Sequence, residues 1–205
     1  MTFVLGLTGS IATGKSTVSR YFMAQGIPVV DADLIAREVV APRTPGLEAL
    51  VSHFGEGILT NDKELNRQAL GQIVFSDKRK RAELDNLLEP FLRTGIKEGI
   101  TAYVQTGVPL VVADIPLLFE KNYQEGMDGI MVVYLPEEVQ LARLMKRDNL
   151  TLQQAQARIS SQLSIEKKRQ LADVVIDNSG TIAETQQQVL TWLNQGDKKS
   201  DLTVK

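Results

Sequence analysis

The stretch Gly9-Ser10-Ile11-Ala12-Thr13-Gly14-Lys15-Ser16-Thr17 has the spacing G-x-x-x-x-G-K-S. It follows the apolar run Phe3-Val4-Leu5-Gly6-Leu7 and opens into a helical pattern with Val18 and Phe22 one turn apart. A polyphosphate is wrapped by successive backbone N–H groups, and glycine lets the main chain turn tightly with no Cβ in the way. Gly9 and Gly14 are expected to meet that need. A helix starting near Lys15 adds unpaired N–H groups and the positive end of its dipole. Lys15 then offers a point charge to the outer phosphates, and the Ser16 hydroxyl is placed to hold Mg²⁺. The loop alone does not separate kinases from GTPases or motor ATPases.

Three further groups could share that chemistry. Asp31-Ala32-Asp33 ends the apolar run Ile27-Pro28-Val29-Val30, and ligands of open parallel sheets sit beyond the carboxyl ends of the strands. An alcohol attacking a γ-phosphate needs a carboxylate to orient it and take its proton; Asp33 is the candidate. The competing role is an N-cap for a helix over 34–40, and one aspartate can cap while the other is catalytic. Arg37, one turn on, is either a substrate contact or half of a surface ion pair. Val108 to Ala113 is an apolar strand ending in Asp114, the placement of an acid that holds the metal's water shell or merely closes the strand. Arg143 and Arg147 share a helical face, where their repulsion calls for an anion or acid between them. They suit a lid over phosphate; the alternative is a solvated helix pair neutralised by Asp148 and Glu166. Asn178, in the polar turn after the last strand, is expected to contact a nucleotide base.

The elements that must position these groups alternate. Buried strands are read at Phe3 to Leu7, Ile27 to Val30, Val108 to Asp114, Gly129 to Leu135 and Ala172 to Ile176, with helices between them. Pro136-Glu137-Glu138 starts one helix, and capping boxes at Thr151 to Gln154 and Thr181 to Glu184 start two more. Trp192 is expected as a core anchor. From Ala41 to Gln105 the pattern is helical: Pro42-Arg43-Thr44-Pro45-Gly46 breaks the chain, helices follow over 47–54 and 68–75, and Pro90 interrupts a third over 81–96. A helical insertion between sheet strands is the natural reading. The expected division is a core of 1–33, 108–138 and 170–195, an insertion of 34–107, a lid of 139–169 and a frayed polar tail of 196–205.

Composition narrows the class. The chain has 205 residues, 43 % of them apolar, and a formal charge of −2, which argues against a dedicated nucleic-acid binder. Lys78-Arg79-Lys80-Arg81 reads as a solvated helix face, and His53, the single histidine, has no partner at ligand spacing. There is no cysteine, hence no disulfide framework. Met1-Thr2 leads straight into a strand with no room for a signal peptide, and no apolar run is long enough to span a bilayer. A soluble cytoplasmic protein is expected.

Taken together, Gly6-Leu7-Thr8-Gly9 with Gly14-Lys15-Ser16-Thr17, Asp31-Ala32-Asp33 with Arg37, Ile115-Pro116-Leu117-Leu118-Phe119-Glu120, Gln140 to Asp148, Gln162 with Lys167, and Ala172-Asp173 leading to Ile176-Asp177-Asn178-Ser179-Gly180 resemble the dephospho-CoA kinase family over nearly the whole chain. The resemblance implies an α/β fold with a P-loop kinase core: a five-stranded parallel sheet flanked by helices, a helical substrate-domain insertion and a helical lid. It implies ATP-dependent phosphorylation of the ribose 3′-hydroxyl of dephospho-CoA, with Mg²⁺; a monomer that binds neither nucleic acid nor membrane is expected. Carried over by position, Asp33 looks like the acceptor-activating acid. Gly9 and Ala12 to Thr17 look like the ATP loop, Thr8, Arg37 and Leu117 like acceptor contacts, and Arg143 and Arg147 like lid charges. Glu89-Pro90 stands where the family commonly has His-Pro, with Arg93 retained, so Glu89 is given no binding role. A related kinase of a nucleoside monophosphate or small alcohol is the nearest other reading. The Asn-Lys-x-Asp stretch with which GTPases select guanine is missing.

Overall fold

The computed structural model describes residues 1–75 and 77–199. Five strands form one parallel sheet: β1 (Phe3–Gly9), β2 (Val29–Asp31), β3 (Leu110–Asp114), β4 (Gly129–Tyr134) and β5 (Val174–Asp177), in the order β2-β3-β1-β4-β5. The strands read as continuous apolar runs because helices cover both faces of such a sheet. Nine helices are described: α1 (Lys15–Ala24), α2 (Ala32–Glu38), α3 (Pro45–Phe54), α4 (Arg67–Phe75), α5 (Lys78–Gln105), α6 (Glu137–Asp148), α7 (Leu152–Ile159), α8 (Ile165–Gln170) and α9 (Ile182–Lys199). None of them is long and apolar enough to cross a membrane.

The chain forms two compact units, Asp31–Ala102 and the remainder. In the unit that carries the sheet, Leu5, Leu7, Val112, Met131, Val133 and Ile176 pack against Val18 and Phe22 of α1 and Val189 of α9. Phe22 is fully buried, and a side chain of that size contributes about 1.5–3 kcal/mol by leaving water. Trp192 anchors the same core as expected, edge-on to Phe22 at 6.3 Å and to Phe3 at 6.4 Å. Residues 139–169, expected as a lid, belong to this unit; Leu144, Ala155 and Ile159 there pack with Ile11 and Ala12.

The other unit is helical, with Leu59 and Leu65 forming an isolated antiparallel bridge. Val40, Leu50, Ile58, Leu70 and Val74 make its core. Thr44 caps α3 by accepting the Leu47 N–H at 3.3 Å, with Pro45 at the first helical position. Two expectations are corrected. The helix over 81–96 is not interrupted at Pro90: α5 runs unbroken from Lys78 to Gln105. Pro90 removes one ladder bond and is unfavourable by about 3 kcal/mol inside a helix, but Leu84, Leu87 and Leu88 before it pack on the core and Ile96 after it is buried. Residues 196–199, expected in a frayed tail, continue α9, which runs to Lys199; the rest of that expectation, residues 200–205, lies outside the described residues.

Lys78 to Arg81 form an exposed first turn, and His53 meets Glu83 at 3.0 Å and the edge of Phe54. Both are the structural roles expected. Glu89 accepts from Arg93 at 2.9 Å, one turn along α5.

Candidate active site

At the end of β1 the backbone leaves the sheet and turns through Ser10 to Gly14 into α1. Gly14 has φ 87°, and a Cβ there would overlap the Asn178 amide. Gly9 is needed for another reason than the expected turn: it is still extended strand, and its Cβ would stand 2.6 Å from Thr13 Oγ1 and 2.9 Å from the Val133 carbonyl. The second left-handed residue is Ala12, φ 62°, a conformation that is unfavourable for a residue with a Cβ. Thr13, fully buried, closes the loop by donating its N–H at 3.2 Å and its hydroxyl at 2.8 Å to the Ser10 carbonyl.

No side chain caps α1 at Gly14; the Thr17 N–H donates to the Gly14 carbonyl at 2.9 Å, and the Lys15 and Ser16 N–H groups before it keep their capacity for an anion. Ser16 is exposed and Thr17 half-buried in that turn. Lys15 forms an ion pair with Asp114, whose residue is 3 % exposed at the end of β3. The registers explain the meeting, since Leu7 of β1 lies opposite Asp114. Mg²⁺ keeps several waters and takes one or two protein oxygens beside substrate phosphates. A serine hydroxyl and one carboxylate are donors of that kind.

Four side chains from outside the loop hold its backbone. Gln140 on α6 donates to the Ile11 carbonyl at 2.8 Å, and Gln162 accepts the Ile11 N–H at 2.9 Å. Asn178 donates to the Thr13 carbonyl at 2.7 Å and accepts from Thr185 on α9 at 2.8 Å. Lys168 on α8 donates to the Gly9 carbonyl at 3.2 Å. The expected base contact for Asn178 is therefore corrected: it is buried, and its amide braces the loop from behind. Sequence reasoning also passed over Gln140 as a loop contact and chose Lys167 where the buried lysine is Lys168; Lys167 is exposed. The available signal was Ile165, buried and three residues earlier on the same face of α8.

Thr8, expected at the acceptor, is fully buried and donates to the Pro116 carbonyl at 3.0 Å. It fixes the chain after β3 rather than facing a ligand. Ile115 and Leu118 of the same apolar stretch finish the core, and Leu117 is half-buried. On α6, Arg143 is half-buried. Arg147 instead lies on Asp148, at 2.8 and 3.1 Å, and Arg158 of α7 reaches the same carboxylate at 2.7 Å. The Arg147 hydrogen bond, then the two arginine charges, hold the Asp148 carboxyl below its ordinary pKa, and the same bond raises that of Arg147. The neutralisation weighed for α6 is thus supplied by Asp148; Glu166 accepts from Tyr134 at 2.6 Å and pairs with Arg169.

In the helical unit Asp31 is the N-cap of α2, accepting from the Asp33 and Leu34 backbone at 2.8 and 3.2 Å. Asp33 stands exposed in the first turn, and Arg37 is exposed in the last. Among the described residues no ion pair joins them.

The family model described as dephospho-CoA kinase matches residues 3–184. The dephospho-CoA kinase of Enterococcus faecalis is 50 % identical over 195 residues, which are 95 % of this chain and 98 % of that one. A solved dephospho-CoA kinase from Campylobacter jejuni is 33 % identical, superposes with a TM-score of 0.76 and covers 98 % of this chain and 100 % of its own. A solved protein from Thermus thermophilus superposes with a TM-score of 0.78 at 32 % identity, covering 95 % of this chain and 97 % of its own. Shikimate kinase from Acinetobacter baumannii, at 17 % identity and a TM-score of 0.50, shares the fold.

Proposed function

The chain belongs to the dephospho-CoA kinase family, and from that premise we propose how its residues divide the work of moving the γ-phosphoryl group of ATP to the ribose 3′-hydroxyl of dephospho-CoA. The products are coenzyme A and ADP. The observation that carries the reading is the uncapped start of α1 behind a braced loop, with Lys15 and Asp114 paired at its mouth.

The triphosphate lies in the loop of Gly9 and Ala12 to Thr17, where first-turn N–H groups take its oxygens. Lys15 exchanges its carboxylate partner for the outer phosphates and there balances charge as it develops on the transferring group. Ser16 and Asp114 would hold the Mg²⁺ that accompanies the nucleotide, whose positive charge neutralises phosphate oxygens. Asp33 orients the 3′-hydroxyl and takes its proton as that oxygen bonds to the γ-phosphorus and the bond to the β–γ bridging oxygen breaks. Its exposure and freedom from capping support the role. Arg37 and Leu117 are assigned to the acceptor. Arg143 and, after release from Asp148, Arg147 are assigned to the phosphates, in a segment 139–169 that acts as a lid excluding water. One chain carries all of these groups, and we take the enzyme to work as a cytoplasmic monomer.

The test is a coupled ADP-release assay across dephospho-CoA, nucleoside monophosphates and small alcohols. Turnover with dephospho-CoA and a product phosphorylated at the 3′ position is the expected result; activity confined to a nucleoside monophosphate would overturn it.

A further inference from the structure

Lys168 has no solvent exposure. Its ammonium has three N–H donors and no acceptor, and three oxygens surround it: the Gly9 carbonyl at 3.2 Å, the Pro116 carbonyl at 3.0 Å and Glu120 Oε1 at 2.9 Å. With every donor engaged, it cannot also bind a phosphate. A charge this deep in the protein is tolerated only when paired and fully hydrogen-bonded.

The two carbonyls mark a particular place. The β1–β3 ladder runs to Leu7 opposite Asp114, and its last backbone bond passes from the Ile115 N–H to the Leu7 carbonyl at 2.9 Å. Two residues further along each strand are Gly9 and Pro116, where β1 turns into the phosphate loop and the chain after β3 turns away. The ammonium bridges their carbonyls where the strands part. It fills the next rung with a side chain. Glu120, which balances the charge, also accepts the Leu163 N–H at 2.9 Å, so the same cluster ties down the connection before α8.

We propose that Lys168 is a positioning residue, one that sets the phosphate loop at the correct angle to Asp114 by bridging the carbonyls of Gly9 and Pro116. The proposal rests on the reading of the loop as the ATP site. The lysine never touches the nucleotide; it acts through the direction in which the chain leaves β1. Burial pushes its pKa below the ordinary lysine value, with the Glu120 bond and charge opposing and the Lys15 charge assisting.

The experiment compares wild type, Lys168→Met and the double variant Glu120→Gln with Lys168→Met. It measures melting temperature, the dissociation constant of a non-hydrolysable ATP analogue by calorimetry without acceptor, and KM for ATP against KM for dephospho-CoA. Lys168→Met leaves the half-buried Glu120 carboxylate without its lysine and is expected to melt early. The double variant removes both charges and is expected to recover melting temperature. In both variants the two carbonyls lack their shared donor, so the analogue is expected to bind about tenfold more weakly or worse, with KM for dephospho-CoA within about twofold of wild type. If the double variant regains nucleotide affinity together with its melting temperature, Lys168 is only Glu120's counter-ion and the proposal is overturned. Because the analogue is measured without acceptor, a wrong assignment of the acceptor would leave this result standing.

Discussion

The Asp31 carboxylate accepts the Asp33 backbone N–H at 2.8 Å, so the first acid of Asp-Ala-Asp starts a helix and leaves the second acid's side chain to solvent. The two substitutions should therefore part company. Asp31→Ala is expected to lower stability by ~1 kcal/mol through loss of the cap, seen as an earlier urea midpoint. Asp33→Asn should leave that midpoint in place and lower kcat by about 10²–10⁴ with little change in ATP affinity. Near-normal turnover of Asp33→Asn would move the base elsewhere.

Lys15→Ala should lower kcat by at least about 10²–10³, the effect of removing one preorganised charge from a transition state. It should also lower the melting temperature, since the Asp114 carboxylate, in a residue 3 % exposed, loses the Lys15 charge. Lys15→Ala with Asp114→Asn should recover the melting temperature, and its turnover should still fall well below that of Asp114→Asn alone, which separates the lysine's two tasks.

Gly14→Ala is expected to abolish measurable ATP binding. Its Cβ would displace the Asn178 amide, and φ 87° is unfavourable for alanine. Adding Asn178→Ala makes room but leaves the strained dihedral and drops the bond to the Thr13 carbonyl, so calorimetry should show no rescue.

Thr8→Val separates the buried hydrogen bond to the Pro116 carbonyl from a contact to the acceptor. Loss of the hydroxyl's bond to the Pro116 carbonyl should lower stability by about 1 kcal/mol, while KM for dephospho-CoA stays unchanged. A rise in that KM without a change in melting temperature would return Thr8 to the acceptor.

Asp148 sets an acid limb. Its folded pKa lies below the ordinary value of 3.8, so the folded state releases this proton more readily than the unfolded one. The contribution to stability is present above that value and fades as pH falls through and below it. Asp148→Asn should flatten the decline of the melting temperature on the acid side. Because Arg147 and Arg158 are about half exposed, raising the salt concentration should shrink the difference.

Much of the architecture was legible because buried parallel strands read as unbroken apolar runs, as Gly129 to Tyr134 does. Pro90 misled, because a local breaker was weighed without the leucines that pack α5 onto its core. At the loop, residue spacing identified the turn and the cation but not what braces them. Lys168 escapes a reading by residue type because lysine is almost never fully buried; Asn178 looks like a ligand contact because a polar residue beside a site looks available, and Thr8 does so only by carry-over from the family. Only partners distant in the chain, Pro116 and Thr13, show that their hydrogen bonds are already taken.

The strand order also bears on how the protein is made. β1 is central, yet both its neighbours are late: Phe3 lies opposite Leu110, and Leu5 opposite Gly129. A ribosome adding about 5–20 residues per second needs roughly 5–20 s to supply the first of them. Throughout that interval the nascent chain carries an apolar strand that α1 can cover but neither neighbouring strand can yet pair with, so prematurely terminated products ending before residue 110 should be clients of the chaperone machinery.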